Sequence, residues 1–344
     1  IGLQLFGTIM KSNTHHLVNV GLKQYTVNNM KKTILITGGS GFLGRNLAMK
    51  LKGDYNVYLG SRNNKNNAYA GKITGCPTLP LDVTSIESVR DVITEVKPDI
   101  IIHAAATKYV DLSEKYPMET IDVNVLGSQN VARVAIEKKV GFVVGISTDK
   151  ACPPVRNIYG ISKAAMEKIF CLMDGKTDTK FTCVRYGNVA WSTGSVLPIW
   201  KDMFDKTGVL QTTGPEMRRF FFTVEHAVEL VINAVENEDR VKGKILSRVM
   251  KAAQMDDILN VWVKHLGGSW ELMEGRPGER DDEFLVGETE VDYCEELIIN
   301  DVKHYLISPN EKSGKRVEVF HSGIAERLTE EEILGIINAH TDVI

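Results

Sequence analysis

The chain has 344 residues, 43% of them hydrophobic and 25% charged, with a net charge of −3; this is an ordinary globular composition with room for one large α/β domain or two medium ones. Scattered lysines and arginines form no basic stripe, so nucleic acid is not expected as a partner. The longest apolar run, around Ile100–Ala106, is of buried-strand length, below the roughly 20 residues a membrane helix needs, so no membrane insertion is expected.

The first 29 residues lack a basic stretch followed by an apolar one, so a secretory signal is not expected. They read as a disordered or non-native extension before Met30-Lys31-Lys32. From Lys32 onward short apolar runs alternate with amphipathic stretches. The pattern predicts a strand over Thr33–Thr37, a glycine turn, a helix over Phe42–Lys52 and strands at Asn56–Leu59 and Thr78–Leu81. A helix at Ser85–Val96 stops before Pro98, and a strand follows at Asp99–His103. One long helix over Pro117–Lys138 then leads to strand Phe142–Ile146, helix Tyr159–Met173 and strand Phe181–Arg185. Beyond Tyr186 glycine and proline become more frequent, with helices expected at Val224–Val235 and Glu330–Ala339. This alternation predicts an α/β fold: a Rossmann-like, doubly wound parallel sheet. Residues 30–186 would form the cofactor-binding domain and 187–344 a smaller, mainly substrate-binding region, with ligands beyond the carboxyl ends of the strands.

Thr37-Gly38-Gly39-Ser40-Gly41-Phe42-Leu43-Gly44 lies between the first strand and the first helix. Glycines there let the backbone approach a pyrophosphate at the helix N-terminus, so Gly38, Gly41, Phe42, Leu43 and Gly44 are candidate dinucleotide contacts. At the end of the second strand, where an acid would bind the ribose 2′-hydroxyl of NAD, the chain has Ser61-Arg62. An arginine there pairs with a 2′-phosphate, so NADP is favoured, with NAD as the alternative. Asp82 and Val83 suit an adenine contact, and the small Ala104, Ala105 and Ala106 let a flat ring or ribose lie close to the backbone.

Tyr159 and Lys163 are spaced i, i+4 on one helix face. A nearby ammonium lowers a phenol pKa from about 10, which makes Tyr159 a candidate general base. Thr148, Asp149 and Lys150 follow the fifth strand and would face the same cleft. The plain alternative is that they only cap a strand, since polar residues are common in loops.

The segments HAAATKYV (His103–Val110), NVLGSQNV (Asn124–Val131), STDKA (Ser147–Ala151), YGISK (Tyr159–Lys163), RYGNVAWSTGSVLP (Arg185–Pro198), MRRFF (Met217–Phe221) and GRPGE (Gly275–Glu279) add to TGGSGFLG (Thr37–Gly44) and Ser61–Arg62. Together they resemble the extended short-chain dehydrogenases/reductases, in the UDP-N-acetylglucosamine 4,6-dehydratase branch of polysaccharide biosynthesis. The match spans about Met30 to Pro309. Two departures stand out. The Lys150–Tyr159 interval is one residue longer than the branch pattern. Arg280-Asp281-Asp282-Glu283 replaces a basic-hydrophobic continuation, which bears on the nucleotide end more than on the chemistry.

The resemblance implies a lyase that removes water across C5–C6 of a UDP-N-acetylhexosamine after transient C4 oxidation by NADP. In it Tyr159 takes the 4-hydroxyl proton, Lys163 polarises Tyr159 and holds the nicotinamide ribose, and Asn124 orders the proton relay. Thr148 hydrogen-bonds the 4-oxygen and Asp149, with a raised pKa, protonates the leaving hydroxyl. Lys150 takes the C5 proton if its pKa is lowered. Lys108, Asn188, Arg219 and Arg276 would contact the nucleotide sugar. A homo-oligomer is implied by the same resemblance. The rival readings are a UDP-sugar 4-epimerase, which needs no acid–base pair for elimination, and a non-catalytic NADP-binding protein. Five cysteines without a CxxC pair fit a reduced, cytoplasmic chain. Eight histidines without zinc-ligand spacing predict no metal site.

Overall fold

The computed structural model describes residues 31–275 and 279–339; the expectations for residues 1–29 and for Arg276 lie outside them. In the first half, β1 (Thr33–Thr37), α1 (Phe42–Leu51), β2 (Asn56–Ser61), α2 (Asn64–Thr74), β3 (Thr78–Pro80), α3 (Ile86–Val96) and β4 (Ile100–His103) follow one another. The short helices α4 (Val110–Lys115) and α5 (Pro117–Ile121) come next, then a π-helical turn (Asp122–Leu126), α6 (Gly127–Glu137), β5 (Phe142–Ile146), α7 (Ile158–Met173) and β6 (Lys180–Arg185).

The remainder contains β7 (Asn188–Val189), α8 (Val196–Thr207), β8 (Val209–Thr212), β9 (Arg218–Phe222), α9 (Val224–Glu236), α10 (Glu238–Val241), β10 (Ile245–Arg248) and β11 (Ala252–Gln254). It closes with α11 (Met255–Leu266), β12 (Ser269–Leu272), β13 (Phe284–Val286), β14 (Cys294–Ile299), β15 (Val302–Ile307), β16 (Phe320–His321) and α12 (Glu330–Asn338).

The main sheet has the order β14-β15-β10-β6-β5-β4-β1-β2-β3. From β3 to β10 all neighbours are parallel, while β15 and β14 add antiparallel at the edge. Side chains alternate across the strands, as period-2 geometry requires. Ile34, Ile36, Ile100, Ile102 and Val144 share one core with Leu47 and Leu51 of α1 and Val228 and Val231 of α9. Leu35, Ile101 and Val143 share the opposite core with Val89 of α3, Val131 of α6 and Phe170 of α7. Two faces so covered explain why these strands read as unbroken apolar runs. A third core, around Trp191, Trp200, Leu259, Trp262 and Ile336, packs α8, α11 and α12 together.

From β1 the chain leads to β2 on one side, and β4 stands on the other. The strand order thus reverses between β1 and β4, the point where open sheets of this kind hold ligands beyond the strand carboxyl ends. The expected single helix over Pro117–Lys138 is interrupted by the π turn, which buries Asn124.

Candidate active site

A cleft of about 1290 Å³ opens at these strand ends. It exceeds the roughly 300–1,000 Å³ of a single small-ligand pocket and so has room for two ligands. At one end Gly38 has φ +68°, and a Cβ on it would stand 2.7 Å from the Ala105 nitrogen. The β1–α1 turn therefore lies against the end of β4, a close approach only glycine permits. Gly41 caps α1, and Gly38, Gly41, Phe42, Leu43, Gly44, Ala104, Ala105 and Ala106 all line the cleft. The first-turn N–H groups of α1 have no carbonyl partner within the helix and favour an anion.

Beyond β2 the cleft is lined by Ser40, Ser61, Arg62, Asn66, Tyr69 and Arg45. Ser40 Oγ lies 2.6 Å from Ser61 Oγ, and Ser61 donates to Asn67 Oδ1. The Arg45 guanidinium donates to the Ser40 carbonyl and stands 5.7 Å from the centre of the Tyr69 ring. Arg45 was not singled out from sequence, although it lies one turn into the helix after the glycine motif. Its partial burial lowers its pKa. Val83 lines the cleft, but Asp82 does not. The Asp82 carboxylate accepts from the Thr84 N–H and hydroxyl, closing the turn ahead of α3. The glycine cradle, the alanines pressed on Gly38 and the two arginines fit a nicotinamide dinucleotide.

Deeper in, Thr148, Lys150, Tyr159 and Lys163 line the same cleft. Asp149 is completely buried and is not among the lining residues. Its Oδ1 accepts from Thr148 Oγ1 at 3.0 Å and from Lys150 Nζ at 3.1 Å, so it communicates with the cleft through these two. Asp149 Oδ2 is buried without a hydrogen-bond partner. The β5 end places the group: Ser147 N–H donates to the Val184 carbonyl, Asp149 N–H to that of Tyr186, and Thr148 caps a single 3₁₀ turn at Asp149–Ala151. Burial raises the Asp149 pKa, a shift that neighbouring Lys150 opposes and Glu283 reinforces.

Two expectations about charge are corrected. Lys150 was assigned the C5 proton on condition that its pKa be lowered. Burial pulls it down, but the carboxylates of Asp149 and Glu283 outweigh that and raise it. Lys163 was expected to lower the Tyr159 pKa. Its ammonium instead donates to the Ile146 carbonyl at 2.7 Å, because α7 packs across the end of β5. Burial brings the Lys163 pKa to about 8. Burial raises the Tyr159 pKa, and the counterweights are Lys150 and a hydrogen bond with Thr148.

Asn124 also acts one layer back. Its side chain donates to the Thr107 carbonyl, accepts from the Thr107 N–H and donates to Ser162 Oγ, which fixes the loop carrying Lys108. Lys108 lines the cleft, with its pKa lowered by burial and its ammonium 5.8 Å from the Tyr109 ring centre. Asn188 lines the cleft too, its Oδ1 3.5 Å from Lys150 Nζ. Arg219 faces the cleft, held by the Arg218 and Asp281 carbonyls, while Arg218 pairs with Asp282.

The Arg280–Glu283 segment, expected to bear on the nucleotide end, reaches the acid–base cluster instead. Glu283 lines the cleft with Oε1 3.4 Å from Lys150 Nζ. Its Oε2 accepts from Arg280 at 2.7 and 2.6 Å. Arg280 in turn donates to the carbonyls of Pro154 and Asp149. Among the described residues no cluster of His, Cys, Asp and Glu could hold a metal ion, and no helix is long and apolar enough to cross a membrane.

The chain matches the family described as polysaccharide biosynthesis protein over residues 34–300. It is 32% identical to a UDP-N-acetylglucosamine 4,6-dehydratase (inverting) of Campylobacter jejuni, over 82% of this chain and 84% of that protein. It is also 32% identical to a UDP-glucose 4-epimerase of Rickettsia felis, over 88% of this chain and 94% of that one. Among solved structures it resembles Pen from Bacillus thuringiensis, with a TM-score of 0.82 and 27% identity over 90% of this chain and 98% of that one. Glycine cradle, strand-end Thr148–Lys150 cluster and likeness over most of the chain agree: the chain belongs to the polysaccharide biosynthesis family of extended short-chain dehydrogenases/reductases.

Proposed function

We propose that the protein acts on a UDP-sugar with a bound nicotinamide cofactor and, more narrowly, that it is an NADP-dependent UDP-N-acetylglucosamine 4,6-dehydratase, a lyase. Residues 30–186 then serve the cofactor and 187–344 mainly the nucleotide sugar. NADP is favoured over NAD by Arg45 and Arg62 beside Ser61, with no carboxylate lining the β2 end of the cleft. The observation that carries the dehydratase reading is the Asp149–Lys150 pair, bonded at 3.1 Å beside Tyr159.

The glycine turn at Gly38–Gly44 and Ala104–Ala106 would hold the cofactor, which would supply hydride acceptance at C4 and hydride donation at C6. The rest belongs to side chains. Tyr159 accepts the 4-hydroxyl proton, helped by the Thr148 hydroxyl. The resulting ketone acidifies the C5 hydrogen. Elimination needs an amine at Lys150 and an acid at Asp149. Moving one proton across their shared hydrogen bond gives both at once, without solvent. Burial of both groups favours that neutral pair, while the Asp149 and Glu283 carboxylates beside Lys150 oppose it. Lys150 then takes the C5 proton and, after exchange with solvent, gives one back to C5 as hydride reaches C6. Asp149, behind the cleft wall, gives its proton to the departing hydroxyl through Thr148, whose oxygen stands 3.0 Å from it. Lys108, Asn188, Arg219 and Arg276 are proposed to hold the nucleotide sugar, and a homo-oligomer in the cytoplasm remains part of the proposal.

The second reading is a UDP-sugar 4-epimerase. It is favoured by the position of Asp149 behind the cleft wall and by the epimerase relatives. Mass spectrometry of UDP-N-acetylglucosamine incubated with the protein in heavy water separates the two. Dehydration gives a 4-keto-6-deoxy product lacking one water and carrying solvent isotope at C5; epimerisation leaves the mass unchanged. Lys150→Met should abolish water loss while the cofactor stays bound. Full dehydration by that variant would remove Lys150 from the role.

A further inference from the structure

The Lys150 ammonium has two carboxylate neighbours, and they differ. Asp149 is buried behind the wall, with a raised pKa and one oxygen unpartnered. Glu283 is on the cleft surface, and its Oε2 is held in the Arg280 fork. Arg280 is itself pinned by two carbonyls of the segment that carries Asp149 and leads to Tyr159. The Glu283 backbone is anchored as well: its N–H donates to Ser322 Oγ, and its carbonyl accepts from Ser322 N–H. The carboxylate is therefore rigid, and only Oε1 is directed at Lys150. Arg280 and Lys150 keep the Glu283 pKa below the ordinary range, so it stays charged while Asp149 changes protonation state.

We propose that Glu283 is a positioning residue for the elimination: its fixed carboxylate holds Lys150 Nζ beside Asp149 and keeps a negative charge next to that nitrogen as it gains the C5 proton. This rests on the dehydratase reading. When the proton sits on Asp149, the hydrogen bond from Lys150 to Asp149 weakens, and Glu283 is the remaining anion that orients the amine. Once Lys150 has taken the C5 proton, the new ammonium faces Glu283 3.4 Å away. The same charge acts on both groups, making Lys150 a stronger base and favouring the protonated form of Asp149 that has a proton to give. Arg219 opposes this from β9, and Arg280 neutralises Glu283 on its outer side. No atom of Glu283 is transferred and no bond to it forms, so the proton count of the reaction is unchanged.

The test separates the two halves of the reaction. Wild type and Glu283→Gln, both loaded with NADP, are mixed with UDP-N-acetylglucosamine in a single turnover. Absorbance of reduced nicotinamide reports C4 oxidation, and mass spectrometry reports water loss. The glutamine keeps the size of the side chain and an acceptor for Arg280 but removes the charge. Water loss should slow by about 10- to 100-fold, at or below the usual range for a group that aids proton transfer. C4 oxidation should continue, so reduced nicotinamide should accumulate where wild type shows little. Glu283→Asp keeps the charge one methylene farther away and should restore part of the rate; it also serves if the glutamine variant does not fold. A wild-type protein that removes no water overturns the dehydratase reading and this inference with it. A dehydrating wild type with an unchanged Glu283→Gln variant, or one that loses both half-reactions equally, overturns the role of Glu283 alone.

Discussion

At the scale of single residues, the chemistry depends on which neighbour each titrating group has. Tyr159 is the clearest case. Burial holds its phenol protonated, and Lys150 and the Thr148 hydroxyl are what bring it back toward ionisation. Thr148→Val removes the hydroxyl at nearly constant shape, so the Tyr159 pKa should rise. The rate–pH profile climbs as Tyr159 ionises, and its rising limb should move to higher pH in the variant. At neutral pH overall turnover should fall at least about 100-fold, because the same hydroxyl also relays the Asp149 proton to the leaving group. Initial rates from neutral to alkaline pH check this, and an unmoved limb would count against Tyr159 as the base. None of this balance was legible in the sequence. The spacing of Tyr159 and Lys163 suggested a direct pair, but a helix-face pattern cannot reveal that the Ile146 carbonyl takes the lysine first. Glu283 escaped notice for a related reason. It is 133 positions from Lys150, and nothing in the local sequence says that its loop folds back onto the strand end.

At the scale of elements, the geometry turns on how tightly α7 packs against the segment after β5. A Cβ on Gly160, in the first turn of α7, would stand 2.2 Å from the Lys150 carbonyl oxygen. Gly160→Ala must therefore push the helix, with Tyr159 on it, away from Lys150. Its turnover should fall at least about tenfold, since small misplacements of catalytic groups are costly, while cofactor affinity should change little. Titration of bound cofactor alongside steady-state rates tests the split. Most of the chain up to β6 was readable because its strands are covered on both faces and α3, α6 and α7 carry an apolar stripe. Other elements were missed for identifiable reasons. Helix α2 is Asn-rich and buries only Asn67, Ala70 and Thr74, so it lacks an apolar stripe. In α8, Pro198 sits in the first turn, where proline is tolerated, and was read as loop chemistry. Helix α11 did carry a signal, with Met255, Ile258, Leu259 and Trp262 on one face and acids before bases, and it went unused. The β14–β15 hairpin turns on Asn300 and Asp301, both at positive φ; that pair was a usable turn signal as well.

At the scale of the whole molecule, one buried ion cluster ties β6 and α7 to the segment between β13 and β14. Arg185, at the end of β6, is 1% exposed, so its charge must be met inside the protein. It donates to Glu167 of α7 on one side and to both oxygens of Glu290 on the other, at 2.8 and 2.9 Å. Glu290→Ala leaves that guanidinium half-compensated and should destabilise the fold by about 3 kcal/mol, in the range for breaking a buried pair. Denaturant titration at neutral pH measures it, and a loss well below 1 kcal/mol would mean that Glu167 alone suffices. The order of the main sheet has a related consequence. Its β10 edge is covered by β15 and β14, which come from the last fifth of the sequence. A gene cut after the codon for Gly275 would yield a polypeptide in which the β10 amides and carbonyls that face β15 are unpaired, open to pairing with the same strand of another copy. Such a fragment should be recovered as insoluble aggregate, and the parallel part of the main sheet would not serve as a transplantable module for engineering.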